Sequence, residues 1–106
     1  MSLLNMFKRT DINTGVDEFR NTPNAVLLDV RTKEEYKGGH IEGSINIPLQ
    51  NIYSVQTVIT DLDKPIFVHC LSGGRSAQAT SVLKSMGYKN VENIGGISSF
   101  RGEIVR

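Results

Sequence analysis

The sequence predicts an α/β fold with a mainly parallel central sheet flanked by helices. Three observations carry that reading. Ala25-Val26-Leu27-Leu28 and Pro65-Ile66-Phe67-Val68 are short continuous apolar runs, the pattern of strands buried on both faces. Helical patterns lie between such runs, so strands alternate with helices. The clearest helix, Arg75 to Met86, has Ala79, Val82, Leu83 and Met86 on one apolar face and Gly87 as its C-cap. Ligands of such sheets bind outside the carboxyl ends of the strands.

In chain order, Met1 to Thr14 is weakly patterned, with room for a short first strand. Residues 1–5 are set apart as a tag or disordered leader, and Lys8-Arg9 reads as solvated surface. Gly15 to Asn21 reads as a short helix capped by Thr14, with Val16 and Phe19 on one face. Asn21-Thr22-Pro23-Asn24 is a turn. The Ala25–Leu28 strand ends at Asp29-Val30-Arg31. Thr32 and Glu35 have the spacing of a capping box. The helix they start runs through Tyr36 and breaks at Gly38-Gly39.

His40-Ile41-Glu42-Gly43 reads as a loop and Ser44-Ile45-Asn46-Ile47 as a short strand stopped by Pro48. Asn51 to Thr60 reads as a helix with Ile52, Val55 and Ile59 at helical spacing. Asp61 to Pro65 is a loop. Asn90 to Ile94 reads as the last strand, Gly95-Gly96 as a turn, and Ile97 to Arg101 as one helical turn. No repeat or linker divides the chain, so residues 1–106 are read as one domain.

Composition narrows the function. Hydrophobic residues make up 39% of the 106 residues, enough for one core, and the formal net charge is +1. That balance argues against a protein built around nucleic acid or an anionic membrane. No stretch is apolar and long enough to span a bilayer. The one cysteine makes no intrachain disulfide, so the expected compartment is the cytoplasm. It also means that no second cysteine in the chain resolves an oxidised or sulfur-loaded Cys70.

That cysteine carries the chemistry. Cys70 stands at the carboxyl end of the Pro65–Val68 strand, followed by Leu71-Ser72-Gly73-Gly74-Arg75-Ser76 and a helix. A tight loop containing Gly73 and Gly74 turns backbone N–H groups toward one point. Such a nest, with a helix N-terminus behind it, attracts negative charge. A free thiol with a pKa of about 8.5 is only a few per cent ionised at neutral pH, and the thiolate is the nucleophile. Arg75 adds a fixed positive charge for an anionic substrate or intermediate. The competing reading of a lone cysteine is a small buried hydrophobe. The run of strand, cysteine, glycine pair, arginine and helix start favours the nucleophile.

Leu28-Asp29-Val30-Arg31, Glu35-Tyr36 and Gly39-His40-Ile41-Glu42-Gly43-Ser44-Ile45-Asn46-Ile47-Pro48 together resemble the first signature of the rhodanese family. Cys70-Leu71-Ser72-Gly73-Gly74-Arg75-Ser76 resembles its active-site loop. Gly95-Gly96 with Phe100 is similar to its closing segment, where the family usually has tryptophan. The resemblance runs from about Ala25 to Val105, in the family's order and spacing.

It implies a rhodanese-like fold and a sulfurtransferase of the thiosulfate:cyanide class, working through a Cys70 persulfide. The implied partners are a small anionic sulfur donor and a thiol or cyanide acceptor, or a protein in either role. No metal or organic cofactor is implied, because sulfur is the group carried. On this reading the amides of Leu71, Ser72, Gly73, Gly74 and Arg75 cradle the persulfide's outer sulfur, and Arg75 steers the donor's negative end. Family members of the phosphatase type have five residues between cysteine and arginine; here there are four. The shorter loop favours sulfur over phosphate. Many thiosulfate-using members have a basic residue at the position of Leu71, and its absence points to a persulfide as the better donor.

Two other functions stay open: a non-catalytic persulfide carrier or protein-docking module, and a phosphatase or arsenate reductase. Asp29 and Arg31 read as a structural pair bridging adjacent strand ends, with Arg31 also within reach of the substrate pocket. His40 reads as a loop-packing residue. His69 precedes Cys70 on a strand and faces away from it, so it is not the activating base. His40, His69 and Cys70 lack zinc-like spacing. Ser72 and Ser76 read as loop and helix-cap residues, Ser72 within reach of the sulfur.

Overall fold

The computed structural model describes residues 11–106. The proposed first strand and the Lys8-Arg9 surface lie outside the described residues, apart from the last few positions before Thr14. Four parallel strands form the main sheet in the order β3-β1-β4-β5: β1 is Val26–Asp29, β3 Ser44–Asn46, β4 Ile66–Cys70 and β5 Val91–Gly96. The chain leaves β1 toward the β3 edge and leaves β4 toward the β5 edge. The connections therefore diverge between β1 and β4, and their carboxyl ends open the crevice where such sheets bind ligands.

Alternation along β4 divides the core. Ile66, Val68 and Cys70 join one cluster, packed by Ala79 and Leu83 of helix α4 (Gly74–Ser85) and by Ile52 and Val55. Phe67 points the other way, into a smaller cluster with Ile12 and Val16 of helix α1 (Ile12–Arg20) and Ile94 of β5. All five residues of β4 are buried, the apolar run Ile66–Val68 as a central strand requires and His69 and Cys70 with it.

Helix α1 starts earlier than its sequence pattern indicates. Asp11, not Thr14, is the N-cap: its carboxylate accepts from the amides of Asn13 and Thr14, at 2.8 and 3.1 Å. Gly15 then lies inside the helix. A Cβ there would sit 2.4 Å from Ile94 Cβ, so glycine lets α1 settle onto β5. The capping box of helix α2 (Lys33–Gly38) forms as expected, Glu35 N donating to Thr32 and Thr32 N to Glu35.

Three other segments differ from expectation. The Asn51–Thr60 helix is a 3-10 helix, Leu49–Ser54, followed by one α turn, α3 (Val55–Val58); Asn51 at φ −109, ψ 18 breaks regular winding. His40-Ile41 is strand β2, paired antiparallel with β6 (Ile104–Val105), a pairing no local signal announces. Gly95-Gly96 is no turn: β5 continues through both after a register shift, with Gly95 at φ 98 opposite His69. The Ile97 turn is 3-10, Ile97–Ser99. No helix among the described residues is long and apolar enough to cross a membrane.

Candidate active site

Cys70 ends β4 with its side chain turned into the larger core cluster, 1% exposed. The chain then folds back over the sulfur, and Gly73 N donates to Cys70 Sγ at 3.0 Å. That return requires Gly73 at φ 109, where a side chain would be strained. Gly74 plays a different part from the one its sequence position indicates. It is the first residue of α4, has no positive φ, and a Cβ on it would meet nothing within 4 Å.

The loop is held from behind by β5. A Cβ on Gly96 would lie 2.2 Å from Leu71 O, and Ser98 N donates to the same carbonyl at 3.0 Å. Gly96 is glycine because the loop backbone occupies its side-chain space. Ala77 is the first residue of α4 whose amide makes a helical bond, to the O of the capping Gly73. The amides of Gly74, Arg75 and Ser76 thus lack partners within the helix, an electropositive end beside the sulfur.

Burial pushes the Cys70 thiol up. Hydrogen bonds from the Ser76 hydroxyl and from the amides of Ser76, Gly73 and Ser72 outweigh it, leaving the thiol below its ordinary range. The amides carry the more dependable share. Ser76 Oγ has one proton and lies 2.7 Å from Asn93 Oδ1, 3.0 Å from Gly73 O and 3.4 Å from Cys70 Sγ. A hydroxyl donating to Asn93 gives nothing to the sulfur. Asn93 also accepts from Gly95 N at 3.0 Å, tying the end of β5 to the start of α4.

Arg75 does not project a free charge. Its Nη1 and Nη2 donate to Glu35 Oε1 and Oε2 at 2.7 and 3.0 Å, a fork on a carboxylate. The Arg75 hydrogen bond is the main reason that the Glu35 carboxyl is lowered to about 2. Spacing within α2 identified Glu35 only as a cap. Its second role joins residues 40 positions apart, which no local motif contains.

Asp29 and Arg31 pair within one strand end rather than across two. Asp29 Oδ1 accepts from Arg31 N and Nε, each at 3.0 Å; Oδ2 accepts from Nη2 at 2.7 Å. Arg31 Nη2 also donates to Gly39 O at 2.8 Å, fixing the end of α2. Asn46 Nδ2 donates to the carbonyls of both residues and ties in β3. A depression of about 410 Å³ opens beside the cysteine loop, bordered by Arg31, Glu35, Gly39, Leu71, Ile97 and Ile104. Ser72 lies exposed on the loop, its amide helping to hold the sulfur. A depression of about 370 Å³ lies at the amino ends of the strands, against Val26 and Lys64, away from the cysteine.

The histidines stand apart from the sulfur. His69 is fully buried on the opposite face, its Nε2 3.9 Å from Asp29 Oδ2; burial holds it below its ordinary pKa. His40 stacks on Tyr36 with ring centroids 3.9 Å apart, and its Nδ1 lies 2.9 Å from Tyr36 O. No group of three or more metal-ligating side chains occurs among the described residues.

Residues 14–103 match the model of the rhodanese-like domain. The chain is 41% identical over 71 residues to the thiosulfate sulfurtransferase PspE of Escherichia coli, covering 66% of this chain and 68% of that one. It is 36% identical over 104 residues to the adenylyltransferase and sulfurtransferase UBA4 of Meyerozyma guilliermondii, covering 89% of this chain but only 24% of that longer protein. Among solved structures, a rhodanese with anions from E. coli superposes with a TM-score of 0.72 at 36% identity, covering 77% of this chain and 98% of that one.

Proposed function

The chain belongs to the rhodanese-like domain family, and from that premise we propose that it is a sulfurtransferase that carries sulfane sulfur on Cys70. The thiolate attacks the outer sulfur of a donor. With thiosulfate, a Cys70 S–S bond forms, the donor's S–S bond breaks, and its electron pair leaves on sulfite. A thiophilic acceptor then takes the outer sulfur: cyanide leaves as thiocyanate, and a thiolate leaves as its own persulfide. In both cases the Cys70 thiolate returns, and no net oxidant or reductant is consumed.

The observation that carries this reading is the Gly73 amide held 3.0 Å from Cys70 Sγ, in a loop whose hydrogen bonds favour the thiolate. The unpartnered amides of Gly74 and Arg75 then serve the outer sulfur, together with those of Leu71, Ser72 and Gly73. Asp29 and Arg31 brace the rim. A single cysteine with no disulfide partner suits a reducing compartment, and we assign the protein to the cytoplasm.

Intact-mass measurement after incubation with thiosulfate or a persulfide tests the reading. The wild type gains one sulfur atom, and Cys70→Ser gains none. A wild type that gains none from any donor ends the proposal. The similarity to one quarter of UBA4 supports a second reading, a sulfur carrier docked on a partner protein. Loading without turnover to cyanide favours the carrier; rapid turnover favours the free-standing enzyme.

A further inference from the structure

The rim beside Cys70 offers no excess positive charge, although it contains two arginines. Arg75 donates both ends of its fork to Glu35. Arg31 turns its Nε edge to Asp29, donating through Nε and Nη2. Glu35 is itself fixed from the far side, because the Thr32 amide donates to its Oε1 at 2.9 Å. The carboxylate therefore stays against the guanidinium rather than swinging into water. Glu34 adds a further carboxylate at the depression. The remaining side chains there are apolar: Leu71 directly after the cysteine and Ile104 are 43% and 41% exposed, and Ile97 lines the same depression.

Resting on the sulfur-transfer reading of Cys70, we propose that Glu35 is the specificity-determining residue. By occupying Arg75 it tilts the site toward a persulfide with an apolar body and away from the thiosulfate dianion. The two donors differ in charge at the moment of attack. Thiosulfate brings two negative charges to a thiolate, so three must share the site, and sulfite leaves with two. A protonated persulfide, RS–SH, brings none. The thiolate attacks its outer sulfur, the S–S bond breaks, the pair leaves as RS⁻ and the proton stays on the transferred sulfur. Only the first reaction needs an uncommitted cation, while the second gains from the apolar wall of Leu71, Ile97 and Ile104. Glu35 acts through Arg75 and touches neither donor.

Single-turnover loading of Cys70 tests this with thiosulfate and benzyl persulfide, in wild type and Glu35→Gln. Each rate is divided by that of the same donor with a free thiolate in solution. Glutamine keeps the capping box, so α2 retains its start. The expected result is a rise of about tenfold in the thiosulfate-to-persulfide ratio of the variant. A merely structural role for Glu35 slows both donors alike and leaves the ratio unchanged, which overturns the proposal. The wild type supplies a test free of any folding defect: it favours benzyl persulfide after normalisation, and added salt narrows the gap by screening the repulsion. A wild type that favours thiosulfate also overturns the proposal. If neither donor loads Cys70, the sulfur-transfer reading itself is lost, and the donor preference with it.

Discussion

The Gly73 amide donates to the Cys70 sulfur across 3.0 Å, and Gly73 is the one residue between Cys70 and α4 with a positive φ, 109°. A backbone conformation open mainly to glycine is thereby coupled to the protonation state of a side chain three residues earlier. The alkylation rate of Cys70 against pH reads this coupling. The midpoint lies below that of a free cysteine, about 8.5. Gly73→Ala moves it upward, and Ser76→Ala moves it less, because the hydroxyl proton is shared with Asn93 and Gly73 O. The lowered thiol also links to stability. Its contribution is full above the unfolded value and is lost as pH falls through the folded one.

The two glycines of the loop respond differently to a methyl group. At Gly74 the added Cβ meets nothing within 4 Å, and alanine is the better helix former, so Gly74→Ala keeps or raises stability by up to about 1 kcal/mol. At Gly96 the Cβ collides with Leu71 O, so Gly96→Ala displaces the cysteine loop and costs about 1–3 kcal/mol. Urea unfolding of the two variants separates them.

Much of this scaffold is legible in the sequence because its signals are local. β1 and β4 are built on the apolar runs Val26–Leu28 and Ile66–Val68, α4 shows its apolar face and closing glycine, and the Thr32–Glu35 box lies within four residues. What escaped local reading is set by contacts distant in sequence. Gly15 looked like a helix start until Ile94 proved to occupy its side-chain space. Gly95-Gly96 looked like a turn, but Gly96 is glycine because the Leu71 carbonyl presses on it. The Glu35–Arg75 pair and the Asn93–Ser76 bond span 40 and 17 positions, so neither belongs to a local motif.

The Glu35 carboxyl, lowered to about 2 chiefly by Arg75, contributes stability above the usual carboxylate range. That contribution falls away as pH drops from about 4.3 toward the folded value. Both side chains are about one-third exposed, so solvent screening limits the gain. Arg75→Ala costs about 0.5–1 kcal/mol at neutral pH in chemical denaturation. The difference from wild type shrinks below the folded pKa of Glu35.

His69 is buried without a hydrogen-bond partner on Nε2, and burial holds it neutral. The unfolded chain takes up a proton near pH 6.5 while the folded chain does not. Stability is therefore full above about 6.5 and declines as pH falls toward the folded value. In NMR titration the His69 ring resonances stay fixed as pH drops through that point. A midpoint at or above 6.5 contradicts the placement.

In the proposed function one sulfur atom travels on Cys70. Protein loaded with a donor and freed of excess reagent is mixed with cyanide, and the thiocyanate released is counted against the mass of the Cys70 peptide before and after. The expected result is one thiocyanate per chain and loss of one sulfur from that peptide. No thiocyanate, or the same yield from Cys70→Ser, contradicts it.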